Sequence, residues 1–155
     1  MIKRLAALRR DDRGAAIIEL AIVAPLLALL TIGVVDMSNG FATKLKLEQA
    51  AQRAIEKVMQ TTGNGTAEEV IIAEAASQAE VAASNVTVTY RLECDGTVQA
   101  DPDGECLETQ KTAKWVTVAV NDQYKPLFAL KKVRFSGLES DGTYHIQAQA
   151  GMRIQ

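Results

Sequence analysis

Hydrophobic and polar positions divide the chain into three regimes. From Ala15 to Val35 the residues are apolar, broken only by Glu19, Pro25, Thr31 and Gly33. A helix needs ~20 mostly apolar residues to cross a bilayer, so this run predicts one membrane-spanning helix. It exceeds the ~7–15 apolar residues of a secretory signal peptide, and no small-residue cleavage site closes it. From Leu47 to Val58 the pattern becomes helical. Leu47, Ala50, Ala51, Ala54, Ile55 and Val58 share one face, with Lys46, Gln49, Arg53 and Lys57 opposite. Ser38-Asn39-Gly40 could bend or end the helix between these stretches, or the helix could continue through to about Met59. A helix continuous from Ala15 to Met59 would be roughly 65–70 Å long. Its alanine-rich stripe suits packing on the protein's own sheet and packing between subunits equally well.

The third regime begins beyond Thr61-Thr62-Gly63-Asn64-Gly65. Thr66 with Glu69 three residues on reads as a capping box for a second helix running to about Ala83, its buried face mainly Ala73, Ala76 and Ala79. From Asn85 the period shortens to two. Val86, Val88, Tyr90, Leu92 and Cys94 share a face, with Thr87, Thr89, Arg91 and Glu93 opposite. Asp95-Gly96 and Asp101-Pro102-Asp103-Gly104 mark turns. Residues 114–121 predict a strand with Val116, Val118 and Val120 inward, and the YKPLF segment that follows contains Pro126 and reads as edge or loop. After a turn at Ser140-Asp141-Gly142, Tyr144 to Ile154 alternates again, with His145, Gln147, Gln149 and Arg153 on the polar side. The fold class is therefore α+β: a long N-terminal transmembrane and stalk helix, then a small antiparallel β-sheet domain of three or four strands with one packed helix.

Charge gives the anchor a direction. Lys3, Arg4, Arg9, Arg10 and Arg13, against Asp11 and Asp12, form a basic cluster before the apolar run. Such clusters stay on the cytoplasmic side, which sends the following domain across the membrane. Before any processing this leader could also lie on anionic lipid as a basic amphipathic helix. The chain carries 17 Lys+Arg and 19 Asp+Glu; without residues 1–14 it would carry 12 and 17, a net −5. That balance argues against nucleic acid as a partner, since phosphate binding wants a basic face.

Glu19 is the exceptional residue of the apolar run. A carboxylate near the centre of a spanning helix costs ~2.5–3.5 kcal/mol on insertion scales, and by default it is a functional candidate. About one turn from the start of the run the penalty is smaller, and the plain alternative is that Glu19 snorkels to the interface.

The order of a basic leader, Gly14, then an apolar helix with glutamate five residues after that glycine resembles the type IV prepilin signature. More narrowly, RGAAIIELAIVAPLLALLTIGVVDM resembles the start of TadE-like proteins, the pseudopilins or minor pilins of tight-adherence (Flp, type IVb) pili. Pro25, Gly33 and Asp36 fit that pattern, while Leu20 stands where many Flp-type prepilins carry phenylalanine. WVTVAVNDQYKPLF and the final strand with its AGMR resemble the C-terminal half of the family more loosely.

The resemblance implies that a prepilin peptidase cuts between Gly14 and Ala15 and that the subunit assembles with other pilins on an assembly platform. It implies residues 1–14 as cleaved leader, 15–37 as transmembrane helix, 38–60 as stalk and 61–155 as periplasmic domain. The location implied is the bacterial inner membrane, with the N-terminus cytoplasmic and the body periplasmic or carried into an extracellular pilus. Cleavage would leave an ammonium on Ala15 four residues from Glu19, on one helix face. That ammonium, the subunit's own or a neighbour's, would partner the buried carboxylate, with the helix N-terminus adding partial positive charge. The competing reading is an uncleaved single-span membrane protein with a periplasmic binding or scaffold domain.

Cys94 and Cys106 are the only cysteines, across a turn-rich loop. In an oxidising periplasm they are expected to form a disulfide, worth up to ~3 kcal/mol by loop-closure entropy. Zinc lacks ligands, with no CxxC and His145 the single histidine. Asp95, Asp101, Asp103 and Glu105 raise calcium, but without EF-hand spacing a solvated acidic loop is the stronger reading. No nucleophile motif accompanies His145, and Gly63-Asn64-Gly65 lacks the lysine and preceding strand of a phosphate loop. Trp115 reads as sheet packing rather than a ligand platform. The expectation is a non-enzymatic protein without cofactor or metal.

Overall fold

The computed structural model describes residues 13–60, 67–127 and 142–154, with side chains from Ala16 onward. The basic leader through Asp12, the break from Thr61, the Thr66 cap and the Ser140-Asp141 turn lie outside the described residues. The chain divides into two units, Met1–Asn39 and Gly40–Gln155.

Helix α1 spans Arg13–Gln60, 48 residues without interruption. It therefore passes through Ser38-Asn39-Gly40, where the sequence also allowed a bend. Pro25 lies inside it, removing one backbone donor. Thr31 adds the opposite kind of local bond, its Oγ1 donating to the Leu27 carbonyl at 2.8 Å.

In the second unit the small-residue stripe is core. Leu47, Ala50, Ala51 and Ala54 are at most 1% exposed, Ile55 is buried and Val58 packs beside them. They join Ile71, Ala75, Ala76 and Ala79 of helix α2 (Glu68–Ala79) and Val86, Val116, Val118, Val120 and Ala148 of the sheet. Within this stretch the alanines serve intramolecular packing, because a small side chain lets helix and sheet approach closely.

Helix α2 differs from its sequence expectation at both ends. Ala67 is the N-cap, without a side-chain cap bond, in place of the Thr66–Glu69 box. The helix stops at Ala79, four residues early, because Glu80 takes the left-handed conformation (φ 58°). Ala73 is exposed, and Ile71 with Ala75 forms the buried face alongside Ala76 and Ala79. A single 3-10 turn, Ala83–Asn85, then leads into the sheet.

Four antiparallel strands follow: β1 (Val86–Cys94), β2 (Thr97–Val98), β3 (Thr112–Tyr124) and β4 (Tyr144–Arg153), in the order β2-β1-β3-β4. β1 meets β3 from Val86↔Val120 to Cys94↔Thr112, which brings the predicted inward valines into one layer. β3 is longer than the expected 114–121, extending to Thr112 and Tyr124. Lys125 and Pro126 leave the ladder, as a residue without a donor requires. The Asp95-Gly96 turn has φ of 50° and 81°, the two positive values a tight two-residue hairpin needs, and yields the two-residue β2 that periodicity did not show. β4 pairs with β3 from Tyr144↔Tyr124 to Arg153↔Trp115. Gly151 sits where a Cβ would lie 3.0 Å from Thr117 Oγ1, so this crossing favours the missing side chain.

Candidate anchoring and assembly site

The N-terminal part of α1 is built for an apolar surrounding. Its Ala16–Gln60 stretch is long and apolar enough to cross a membrane, and none of its most apolar window is buried against the protein. Ile17, Leu20, Ile22, Leu26, Leu30 and Val34 each expose more than half of their surface. The result matches one candidate membrane span.

Gly14 and Ala15 lie in the first turn of α1. Glu19 follows on the same helix and is exposed, like the leucines and isoleucines around it. In a bilayer that exposure would set a carboxylate against lipid or against another subunit.

Cys94 and Cys106 are disulfide-bonded, their Cα atoms 5.6 Å apart, within the ordinary range. The bond ties the end of β1 to the loop that precedes β3. Within that loop the acidic side chains serve the chain's own backbone: Asp95 Oδ1 accepts from the Lys111 N–H at 2.9 Å, and Asp101 Oδ1 from the Asp103 N–H at 3.0 Å. Among the described residues, no group of three His, Cys, Asp or Glu side chains could hold a metal ion.

Sequence reading did not reveal how the polar groups of the second unit pair. Lys44 forms an i,i+4 pair with Glu48 at 3.3 Å and also donates to the carbonyl of Gln147 in β4. Lys46 reaches Glu80 Oε2 at 2.6 Å, which holds that carboxyl below its ordinary range, first through the hydrogen bond and then through the charge. On the outer sheet face Glu93 accepts from Trp115 Nε1 at 3.3 Å and pairs with Arg91 at 2.8 Å. The Arg91 guanidinium lies 5.7 Å from the Trp115 ring centroid, a cation–π distance. Trp115 is thus engaged in sheet-face packing. His145 lies exposed on the same polar face. Tyr90 has its phenol pushed upward, by burial first and then by the charges of Glu68 and Asp103.

The chain thus combines one N-terminal apolar helix that could span a membrane with a disulfide-bonded α+β body. Residues 14–55 match the family model of TadE-like proteins, over the segment whose sequence resembles that family. The match begins at Gly14 and runs through the apolar helix into the buried alanine stripe. No curated protein and no solved structure matches the chain.

Proposed function

We propose that this protein is a minor pilin or pseudopilin of a Flp/Tad-type pilus, taking part in its assembly or initiation for surface adherence. The observation that carries the reading is the family match over residues 14–55, which includes the exposed apolar stretch of α1. In this reading a prepilin peptidase cuts between Gly14 and Ala15. The inner membrane holds the helix, with its N-terminus cytoplasmic and its body periplasmic until assembly carries it outward. Other pilin subunits and the assembly platform are its partners. Its work is structural: no catalytic group, cofactor or metal has a part in it.

Glu19 has the mechanistic role. Lipid cannot solvate its carboxylate, so it favours an arrangement that brings a cation to it. The Ala15 ammonium of a neighbouring subunit would do so, and pairing in trans would fix the axial offset between packed helices. The test replaces Gly14 with a bulky residue. The cut should be blocked and the protein should remain in the membrane without entering pili. Normal pili built from the uncut variant would instead support an uncleaved, single-span scaffold.

A further inference from the structure

The end of the second unit that adjoins the apolar run in sequence is rich in aromatic residues. Tyr124 and Tyr144, two of the chain's three tyrosines, stand opposite each other where β3 ends and β4 begins. Both hold even positions, on the helix-facing side of the sheet with Val116, Val118, Val120 and Ala148. The Tyr124 ring reaches α1 at Gly40, where an added Cβ would stand 3.7 Å from its Cε1. Phe41, next along the helix, is 60% exposed, and Leu127, just past the end of β3, is 68% exposed. The Lys44 ammonium meets the Gln147 carbonyl, so helix and β4 run the same way from this end.

Chain length limits how far this end can lie from lipid. At 1.5 Å per residue, Ala15 to Val35 covers ~30 Å, the thickness of a hydrocarbon core. Gly40 follows Val35 by five helical positions, which is ~7–8 Å. The headgroup layer on each side of the core is ~5–8 Å deep, since the whole bilayer measures ~40–45 Å. A span that fills the core with Ala15 to Val35 therefore brings Gly40 to the outer part of that layer. Helical side chains lean toward the N-terminus, so Phe41 leans back towards lipid. Tyrosine rings, apolar in body and polar at the tip, are enriched at such membrane–water boundaries.

We propose that this end of the second unit, built from Gly40, Phe41, Tyr124, Leu127 and Tyr144, seats in the phospholipid headgroup layer of the membrane that holds the apolar run. Tyr124 and Tyr144 set their rings across the boundary. Phe41 and Leu127 bury in lipid the apolar surface that the fold leaves uncovered. Lipid is favoured over a second copy because the span brings it to these residues in every single chain, without any association step. The inference rests on the reading of residues 15–35 as a membrane span, and it holds whichever side of the membrane carries the second unit.

The test reads tryptophan emission from the full-length chain in phosphatidylcholine vesicles, doped with lipid carrying a nitroxide either on its headgroup or at the end of an acyl chain. Phe41→Trp and Leu127→Trp are made separately in a Trp115→Phe background, at exposed positions that leave the core alone, with circular dichroism to check the fold. Each should lose roughly twice as much emission to the headgroup nitroxide as to the chain-end nitroxide. Leu27→Trp in the same background, in the middle of the apolar run, should show the reverse order. Trp115 of the unaltered chain lies nine residues along β3 from Tyr124, ~30 Å away, and should be quenched by neither. If Leu27→Trp is quenched while Phe41→Trp and Leu127→Trp are not, the proposal is overturned and the span stands. If Leu27→Trp is quenched by neither nitroxide, the span falls and the proposal with it. Trp115 quenched as strongly as the two reporters would mean that the sheet lies along the membrane, which also overturns the proposal. Quenching of the reporters that appears only as the protein is diluted in lipid would assign the surface to a second copy and overturn it as well.

Discussion

Glu19 stands out because its neighbours along the apolar stretch of α1 are exposed leucine, isoleucine and alanine. A carboxylate there is an insertion cost that only a partner offsets. Glu19→Ala should insert at least as stably as the parent and should still be cut, since the scissile bond lies one turn away; it should fail in pilus formation. Glu19→Gln, which keeps shape without charge, should fail in the same way if the ion pair matters. Microscopy showing normal pilus numbers with either variant would reduce Glu19 to a snorkelling side chain. Glu80 makes the second residue-scale case. Its carboxyl is depressed by Lys46, so the pair stabilises the fold above the ordinary glutamate value of 4.5. That contribution is lost as pH falls through the lower, folded-state value. Lys46→Met should return the Glu80 titration, followed by carboxyl NMR, to the ordinary value, and should remove the acid-side dependence. A titration unmoved by Lys46→Met would contradict the pairing.

At the scale of elements, the helical stripe of α1 and the period-two strands were legible because each repeats over nine residues or more. The inward faces of β1, β3 and β4 follow directly from alternation. What was not legible depended on distant partners. The end of α2 is set at Glu80, whose left-handed backbone costs ~1–2 kcal/mol for a residue with a Cβ and whose side chain is held by Lys46 from another helix. No local window contains that information. β2 is too short to have a period, and the Trp115–Glu93–Arg91 cluster required the β1–β3 register before its members could be neighbours. The stripe itself can be probed from both directions. Leu47→Ala should destabilise the domain by ~2–5 kcal/mol, since Leu47 is 0% exposed. Ala51→Leu should cost ~1–3 kcal/mol through overpacking, as Ala51 is equally buried. Denaturant unfolding would check both, and a neutral Ala51→Leu would show that helix and sheet are not closely apposed there.

For the whole molecule, the two units place opposite demands on their surroundings. The second keeps its apolar residues inside and adds a disulfide; the first keeps its apolar residues outside. The long apolar helix was readable from sequence by length and composition alone, and the disulfide from two cysteines flanking a turn-rich loop. Loss of the Cys94–Cys106 bond should lower stability by ~3 kcal/mol, through freedom returned to the unfolded chain. Thiol labelling of the exported, denatured, unreduced protein should leave both cysteines unmodified, and full labelling would contradict an oxidising location. The proposed function, however, turns on what happens at Gly14. The direct measurement is the intact mass and N-terminal sequence of the protein extracted from membranes of cells with an active prepilin peptidase. The account predicts a chain beginning at Ala15, and a chain still carrying Met1 to Gly14 would contradict it.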